Sequence, residues 1–173
     1  VTAGNLDSML SNYTAARHKR KDDVYSAGGV PGKRPNHAAV VYSQMARRAF
    51  PGVPVVLGGM EASMRRVAHY DYWEDKLKPS IMADAKADVL VYGMGEVPVR
   101  EIVKRLQAGQ RDFGGIRGTA LFLGAKATAG ADFTDCIILP SWEELQADSK
   151  PLMRLPKVVE AQQTPHCGKR LVQ

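Results

Sequence analysis

The chain has few cysteines, and their placement excludes several kinds of site. Only two occur in 173 residues, Cys136 and Cys167, and they lie far apart in sequence. Disulfide scaffolds and structural zinc sites are typical of chains with more, closely spaced cysteines. An iron–sulfur cluster normally needs several thiolates. We therefore expect neither a disulfide framework nor a zinc site, and this chain alone cannot hold an iron–sulfur cluster.

Long hydrophobic runs are also missing. No apolar stretch approaches the roughly 20 residues that a membrane-spanning helix needs, and no signal-peptide pattern opens the chain. These two absences predict a cytoplasmic protein without a membrane partner. Hydrophobic residues still make up 45% of the sequence, which suffices for a folded core, and the length suits about one domain.

Common nucleotide and corrinoid motifs are absent as well. The dinucleotide fingerprint G-x-G-x-x-G fails because Pro98 stands where the third glycine would follow Gly93 and Gly95. There is no P-loop pattern and no D-x-H-x-x-G pattern. The histidines are isolated from one another, and we expect them to be structural or solvated: His18, His37, His69 and His166.

Positive charge exceeds negative charge, but it is spread along the chain. Lysine and arginine number 24 against 18 acidic residues, which gives a formal net charge of +6. The densest basic run, residues 17–21, is followed at once by Asp22 and Asp23. A solvated surface explains such a run, and a phosphate-binding patch is the alternative. Nucleic acid is therefore the weakest of the partner hypotheses.

Helix and strand patterns alternate through the middle of the chain. Residues 36–49 have the apolar spacing of a helix, and the β-branched run 53–57 predicts a buried strand. Residues 89–92 predict a second strand, and a second helix begins near Glu96. This alternation is typical of right-handed βαβ units. It predicts an α/β fold with a doubly wound, mainly parallel sheet and helices on both faces, Rossmann-like or flavodoxin-like.

The two ends of the chain give weaker signals. Val1, Thr2 and Ala3 resemble the last residues of a strand, so we expect a sheet truncated at its amino end and a chain that is part of a longer one. Short strands are predicted at 119–123 and 136–139, with a loop at 124–132. Ser141 and Glu144 form a capping box. We expect residues 1–148 to form the α/β domain and 149–173 a connecting segment.

Both predicted strands end in a glycine turn that is followed by a glutamate. Ligands of open α/β sheets bind outside the carboxyl ends of the strands, and backbone amides of such turns can hold an oxyanion or a cofactor edge. If the strands are neighbours, the two turns line one crevice. Ordinary turns with glutamates that complement helix dipoles are the alternative. The candidate cofactor-binding residues are Gly58, Gly59, Glu61, Ser63, Gly93, Gly95 and Glu96.

Six segments in one order carry a resemblance to a known family. They are GNLDSM at 4–9, YTA at 13–15, GG at 28–29 with KRP at 33–35, GGMEASMRR at 58–66, AHYDYW at 68–73 and ADVLVYGMGE at 87–96. Together they resemble the YgiQ-type family of radical S-adenosylmethionine (SAM) proteins. The resemblance is dense over residues 1–110 and looser beyond them, and AHYDYW is its most specific segment.

The resemblance implies a domain order and a set of cofactors. Proteins of this type look like an amino-terminal Rossmann-like domain, similar to cobalamin-binding domains, followed by a radical-SAM barrel. A CxxxCxxC motif on the barrel would hold a 4Fe–4S cluster that binds S-adenosylmethionine and cleaves it reductively. This chain lacks that motif, so no catalytic or metal-binding residue carries over. We expect a radical SAM enzyme in the full-length parent and an inactive fragment here.

Two functions stay open at this point. In the first, the chain binds an unknown substrate or a cofactor, with cobalamin as one candidate, and presents it to the barrel of the same polypeptide. In the second, the chain is a non-catalytic interaction or structural domain. It would then pack through the aromatic cluster that begins at His69 and ends at Trp73.

Overall fold

The computed structural model of the protein describes residues 1–124, 132–164 and 167–173. Most of the predicted loop at 124–132 and His166 lie outside these described residues. The chain divides into two compact units. The first contains Val1–Arg66 and Ile81–Phe122, and the second contains Val67–Ser80 and Leu123–Gln173.

Short helices and strands make up both units. The strands are β1 Val56–Leu57, β2 His69–Asp71, β3 Lys76–Lys78, β4 Val89–Val91, β5 Thr119–Ala120, β6 Cys136–Ile138 and β7 Arg170–Val172. The α-helices are α1 Ser8–Asn12, α2 Ala38–Ala49, α3 Met60–Met64, α4 Ile81–Ala85, α5 Glu96–Gln107, α6 Trp142–Ala147 and α7 Leu155–Ala161. Two 3₁₀ turns span Ala27–Gly29 and Lys150–Arg154. The fold is therefore mixed α/β.

The sheet of the first unit is small and mostly parallel. β1 pairs in parallel with β4, and β4 pairs antiparallel with β5. On the other side of β1, Thr2 forms a parallel bridge with Gly58, whose amide donates a 2.9 Å hydrogen bond to the Val1 carbonyl oxygen. The two predicted strands are thus neighbours, and their carboxyl ends meet at one edge of the sheet.

Alternate residues of β1 and β4 belong to two separate apolar clusters. Leu57 and Leu90 pack with buried residues of α2 and α4, whereas Val89 and Val91 pack with Ile102 of α5. Successive side chains of a strand point to opposite faces of a sheet. Each cluster therefore lies on its own face of this sheet, and burial on both faces explains why the strand at 89–91 is apolar throughout.

The second unit is built around a hairpin and a parallel pair of strands. β2 pairs antiparallel with β3, and β6 pairs in parallel with β7. Ala68, Leu139, Leu145 and Leu155 form its buried core. The predicted connecting segment, 149–173, contributes α7 and β7 to this unit. The domain division at residue 148 stays a prediction about the longer protein.

The helices and strands predicted from local signals are present, several with different ends, whereas β2, β3 and β7 are not predicted. Helices α2 and α5 and the capping box of α6 are confirmed. The strand predicted at 53–57 begins only at Val56, because Val53 is 57% exposed in the turn after α2. The strand predicted at 119–123 stops at Ala120 and is antiparallel. Val99 and Val103 are exposed, so the buried face of α5 is narrower than its apolar spacing predicts.

Candidate functional site

The first glycine turn is closed by the amino-terminal residues of the chain. Gly59 has a φ of +93°, and a Cβ there would collide with Thr2 Oγ1 and lie 2.9 Å from the Gly4 carbonyl oxygen. The Met60 amide donates to the same Gly4 oxygen over 3.3 Å. Glycine permits such a close approach because it lacks a Cβ. Here the Thr2 side chain and the Gly4 carbonyl oxygen occupy the space beside the turn.

Glu61 lies inside the first unit and is 1% exposed. Its Oε2 accepts a 3.1 Å hydrogen bond from the Ser8 amide, and its Oε1 lies 3.4 Å from Arg65 Nη1. The same Arg65 nitrogen lies 2.7 Å from Asp7 Oδ2. The Glu61–Arg65 contact lacks hydrogen-bond geometry, so the attraction is that of an ion pair. One guanidinium thus forms ion pairs with two buried carboxylates and links α1 to α3.

Ser63 makes its hydrogen bonds within the same short helix. Its hydroxyl donates to the Gly59 carbonyl oxygen over 2.8 Å, and its own carbonyl oxygen accepts a 2.5 Å hydrogen bond from Arg66 Nη1. The predicted residues of the first turn are therefore packed into the edge of the sheet. Gly58, Gly59 and Ser63 are half-buried, and Glu61 is buried.

Arg66 joins the first turn to the second. Its guanidinium carbon lies 4.5 Å from the ring centroid of Tyr92, the residue that directly follows β4. Burial lowers the pKa of Arg66 from its ordinary value, and the Tyr92 phenol opposes this shift. Among the described residues, no carboxylate forms a salt bridge with Arg66. Its positive charge is therefore held at the edge without a carboxylate partner from the described chain.

The second glycine turn is open. Gly93 has a φ of +68°, and a Cβ there would meet no atom within 4 Å. Met94 and Val97 are 82% and 75% exposed, and Glu96 is exposed at the start of α5. Gly95 is the N-cap of this helix and supplies no side-chain cap. The first amides of a helix attract negative or electron-rich groups when no side chain caps them.

The structure thus brings the two predicted turns to one edge and gives them different surroundings. A Cβ on Gly58 would lie 3.5 Å from the Val91 carbonyl oxygen, which shows how closely the two strand ends approach. The edge offers backbone amides, the Glu96 carboxylate and the Arg66 guanidinium. Arg66 is not among the cofactor-binding residues predicted from the sequence. The sequence nevertheless contains a signal for Arg66. The i, i+4 spacing of Glu61 and Arg65 predicts that these two residues pair with each other, so the glutamate is not the partner of Arg66.

The aromatic cluster after α3 belongs to the hairpin of the second unit. Asp71 is buried, and its Oδ1 accepts hydrogen bonds of 2.8 and 3.0 Å from the amides of Trp73 and Glu74. The rings of Tyr72 and Trp73 meet edge to face with centroids 6.4 Å apart. His69 Nδ1 lies 3.2 Å from the Val67 carbonyl oxygen. These contacts order the hairpin turn around the buried Asp71 carboxylate.

Among the described residues, no helix is long and apolar enough to cross a membrane.

The two cysteines are free. Arg170 Nε lies 3.2 Å from Cys136 Sγ, and Cys167 Sγ lies 3.4 Å from Thr164 Oγ1. Two thiols with separate neighbours do not supply the thiolate set that an iron–sulfur cluster needs.

Comparison with known proteins identifies relatives over the whole chain. The family described as "Radical SAM N-terminal" matches residues 1–173. A UPF0313 protein of Geobacter sulfurreducens is 46% identical over 175 residues, which cover 100% of this chain and 28% of that protein. A UPF0313 protein of Bradyrhizobium diazoefficiens is 45% identical over 194 residues with the same coverage. One from Shewanella oneidensis is 54% identical over 123 residues, which cover 70% of this chain and 16% of that protein.

No solved structure shows a significant match to the chain. The chain spans about 28% of the length of the first two relatives. The resemblance to YgiQ-type proteins is confirmed, since a UPF0313 relative matches the whole chain at 46% identity. The chain therefore belongs to the Radical SAM N-terminal family and corresponds to an amino-terminal portion of a UPF0313 radical SAM protein.

Proposed function

We propose that this chain binds a ligand at the carboxyl edge of its first-unit sheet and presents it to a catalytic barrel in the same polypeptide. The observation that carries this proposal is the pair of neighbouring glycine turns, of which the second is open. The relatives are about 3.5 times longer than the chain, which leaves ample length for a catalytic domain.

The proposed parent fold is a doubly wound, Rossmann-like sheet. Three features support it: β1 and β4 are parallel, Thr2 extends the parallel pairing beyond β1, and apolar clusters lie on both faces of the sheet. In such sheets the ligand lies outside the carboxyl ends of the strands. The open turn after β4 is at this position.

The 4Fe–4S cluster and S-adenosylmethionine that the family implies belong to the remainder of the parent protein. The cysteines of this chain do not suit the cluster, so no step of the radical reaction is assigned to its residues. The role of this chain is to bind and orient. In this role the turn at Gly93 and Gly95 and the carboxylate of Glu96 contact the ligand. The residues Gly58, Gly59, Glu61 and Ser63 hold the edge in shape. Cobalamin is one candidate ligand.

A titration of the full-length protein tests this function. S-adenosylmethionine, cobalamin and ADP are each titrated by calorimetry into the wild type and the Glu96→Ala variant. We expect at least one of them to bind, and Glu96→Ala to weaken that binding about tenfold, because a hydrogen bond to a charged group contributes about 1.5 to 3 kcal/mol.

Glu160→Ala is the matched control, because Glu160 is an exposed glutamate near the end of α7 in the second unit. It removes the same charge and should leave the affinity unchanged. The proposal fails if none of the three ligands binds, or if the two glutamate variants bind equally well.

A second candidate function is a non-catalytic interaction domain. It is favoured by Tyr70, which is 52% exposed, whereas the other members of the cluster are buried or half-buried. A partner or another domain would then pack against the cluster from His69 to Trp73. Tyr70→Ala should weaken that assembly in the full-length protein, as measured by limited proteolysis, and leave ligand affinity intact. Unchanged proteolysis would remove this candidate.

A further inference from the structure

Two consecutive arginines at the end of α3 have different partners. Arg65 contacts the carboxylates of Asp7 and Glu61, so its charge is balanced inside the first unit. Arg66 instead stacks on the Tyr92 ring and donates one hydrogen bond to the Ser63 carbonyl oxygen. Glu61 forms its salt bridge with Arg65, and among the described residues no salt bridge joins it to Arg66.

A half-buried guanidinium without a counter-ion is costly to maintain. Removing charge from water is unfavourable unless an opposite charge or several hydrogen bonds replace the solvent. Stacking on tyrosine and one carbonyl hydrogen bond offset only part of this cost. Burial accordingly lowers the pKa of Arg66. A guanidinium has five N–H donors, and among the described residues Arg66 donates one hydrogen bond, to the Ser63 carbonyl oxygen, so several donors can serve another group.

The position of Arg66 is fixed from two sides. Its own backbone follows α3, and the backbone of Tyr92, whose ring lies beneath the guanidinium, is held by a 2.9 Å hydrogen bond from the Tyr92 amide to the Gly118 carbonyl oxygen. The next residue after Tyr92 is Gly93, beside which the structure leaves open space. The guanidinium is therefore held at the beginning of the open turn.

We propose that Arg66, held on the Tyr92 ring, binds the anionic group of the ligand at this edge, and that this group is a carboxylate or a phosphate. Both anions accept two parallel hydrogen bonds from a guanidinium, which makes arginine well suited to either. This inference rests on the proposed ligand-binding function, and it adds the chemical class of the ligand.

Hydrogen–deuterium exchange of the full-length protein tests the inference at the site itself. Each probe that carries an anionic group is paired with a relative that lacks it: ADP with adenosine, and S-adenosylhomocysteine with 5′-methylthioadenosine, which lacks the whole zwitterionic amino-acid group. We expect one anionic probe to slow exchange at residues 92–97 at a lower concentration than its relative. The ADP pair reports a phosphate ligand, and the other pair reports a carboxylate ligand.

Substitution of Arg66 then separates charge from structure. Arg66→Gln should weaken the effect of the effective anionic probe at least tenfold and leave its relative unchanged. Arg66→Lys should retain part of the effect, since it keeps the charge and loses the planar fork. Arg48→Gln is the matched control, because Arg48 is an exposed arginine in the last turn of α2. This control should behave like the wild type.

The possible failures point to different conclusions. If Arg66→Gln responds like the wild type to the anionic probe while Glu96→Ala does not, the anion assignment is wrong and the ligand edge stands. If Arg66→Gln loses the response to the anionic probe and its relative equally, Arg66 has only a structural role. If no probe and no cobalamin slows exchange at residues 92–97, both the inference and the proposed function fail.

Discussion

The two glycine turns have similar sequences and opposite surroundings. After β1, Gly59 packs against Thr2 and Gly4, whereas after β4, Gly93 borders open space. The glutamate that follows is buried in the first turn and exposed in the second. The difference arises because residues at the amino terminus pair alongside β1. A glycine turn therefore specifies a backbone path, and the neighbouring segment decides whether the chain itself or a ligand occupies the space beside it.

Alanine at the positive-φ glycine of each turn, Gly59 or Gly93, should give the largest difference in stability between the two turns. Gly59→Ala should lower the free energy of unfolding by about 3 to 5 kcal/mol, because it adds a collision with Thr2 to a strained backbone. Gly93→Ala should cost only about 1 to 2 kcal/mol, the penalty of a left-handed conformation without a clash. Chemical denaturation of the full-length protein measures both. Equal losses would show that the first turn is not packed more tightly than the second.

The two arginines provide the next contrast. Arg65→Gln should lower the free energy of unfolding by about 3 kcal/mol, because it leaves two buried carboxylates without their shared cation. Arg66→Gln should change it by less than about 1 kcal/mol, since it removes a stacked charge that has no carboxylate partner among the described residues. Thermal denaturation of the two variants compares them directly. A larger loss for Arg66→Gln would contradict the assignment of Arg65 as the structural residue.

Acid should have a smaller effect on stability, and this effect comes from Asp23, which precedes the closed turn in the chain. The hydrogen bond from Arg34, followed by those of Ser26 and the Tyr25 amide, lowers the pKa of Asp23 to about 2 from its ordinary value of 3.8. A depressed pKa stabilises the fold above the ordinary value, and this contribution is lost as the pH falls toward 2. Asp23→Asn should therefore flatten the dependence of stability on pH between about 4 and 2.

The neighbouring carboxylate supplies the control for this prediction. Asp22 is exposed, so Asp22→Asn should keep the slope of the wild type. Circular dichroism during acid titration follows both variants. If Asp22→Asn and Asp23→Asn show the same profile, the Asp23–Arg34 pair does not hold the loop that follows α1.

Local signals made much of the fold predictable. Helical spacing located α2 and α5, and the three-residue spacing of Ser141 and Glu144 located the start of α6. Pairings between distant residues were not predictable in this way. The bridge of Thr2 to Gly58, the antiparallel direction of β5 and the pairing of β6 with β7 join segments whose spacing in sequence carries no signal.

The candidate site shows the same limit. The glycine turns were visible because glycine and the ends of apolar runs are local features. The burial of Glu61 was not visible, because it depends on Ser8, which lies 53 residues earlier in the chain. The role of Arg66 likewise depends on Tyr92, which directly follows β4 and is distant from Arg66 in the sequence. Sequence thus indicated the edge of the sheet, and the structure distinguishes its closed part from its open part.

Hydrogen–deuterium exchange of the full-length protein, measured with and without ligand, distinguishes the open turn from the closed turn as the place where the ligand binds. The amides of Gly58 and Met60 already donate to the carbonyl oxygens of Val1 and Gly4, so a ligand has little left to protect there. We predict that bound ligand slows exchange at residues 92–97 and leaves residues 58–63 unchanged. Slower exchange at 58–63 alone, with none at 92–97, would contradict it.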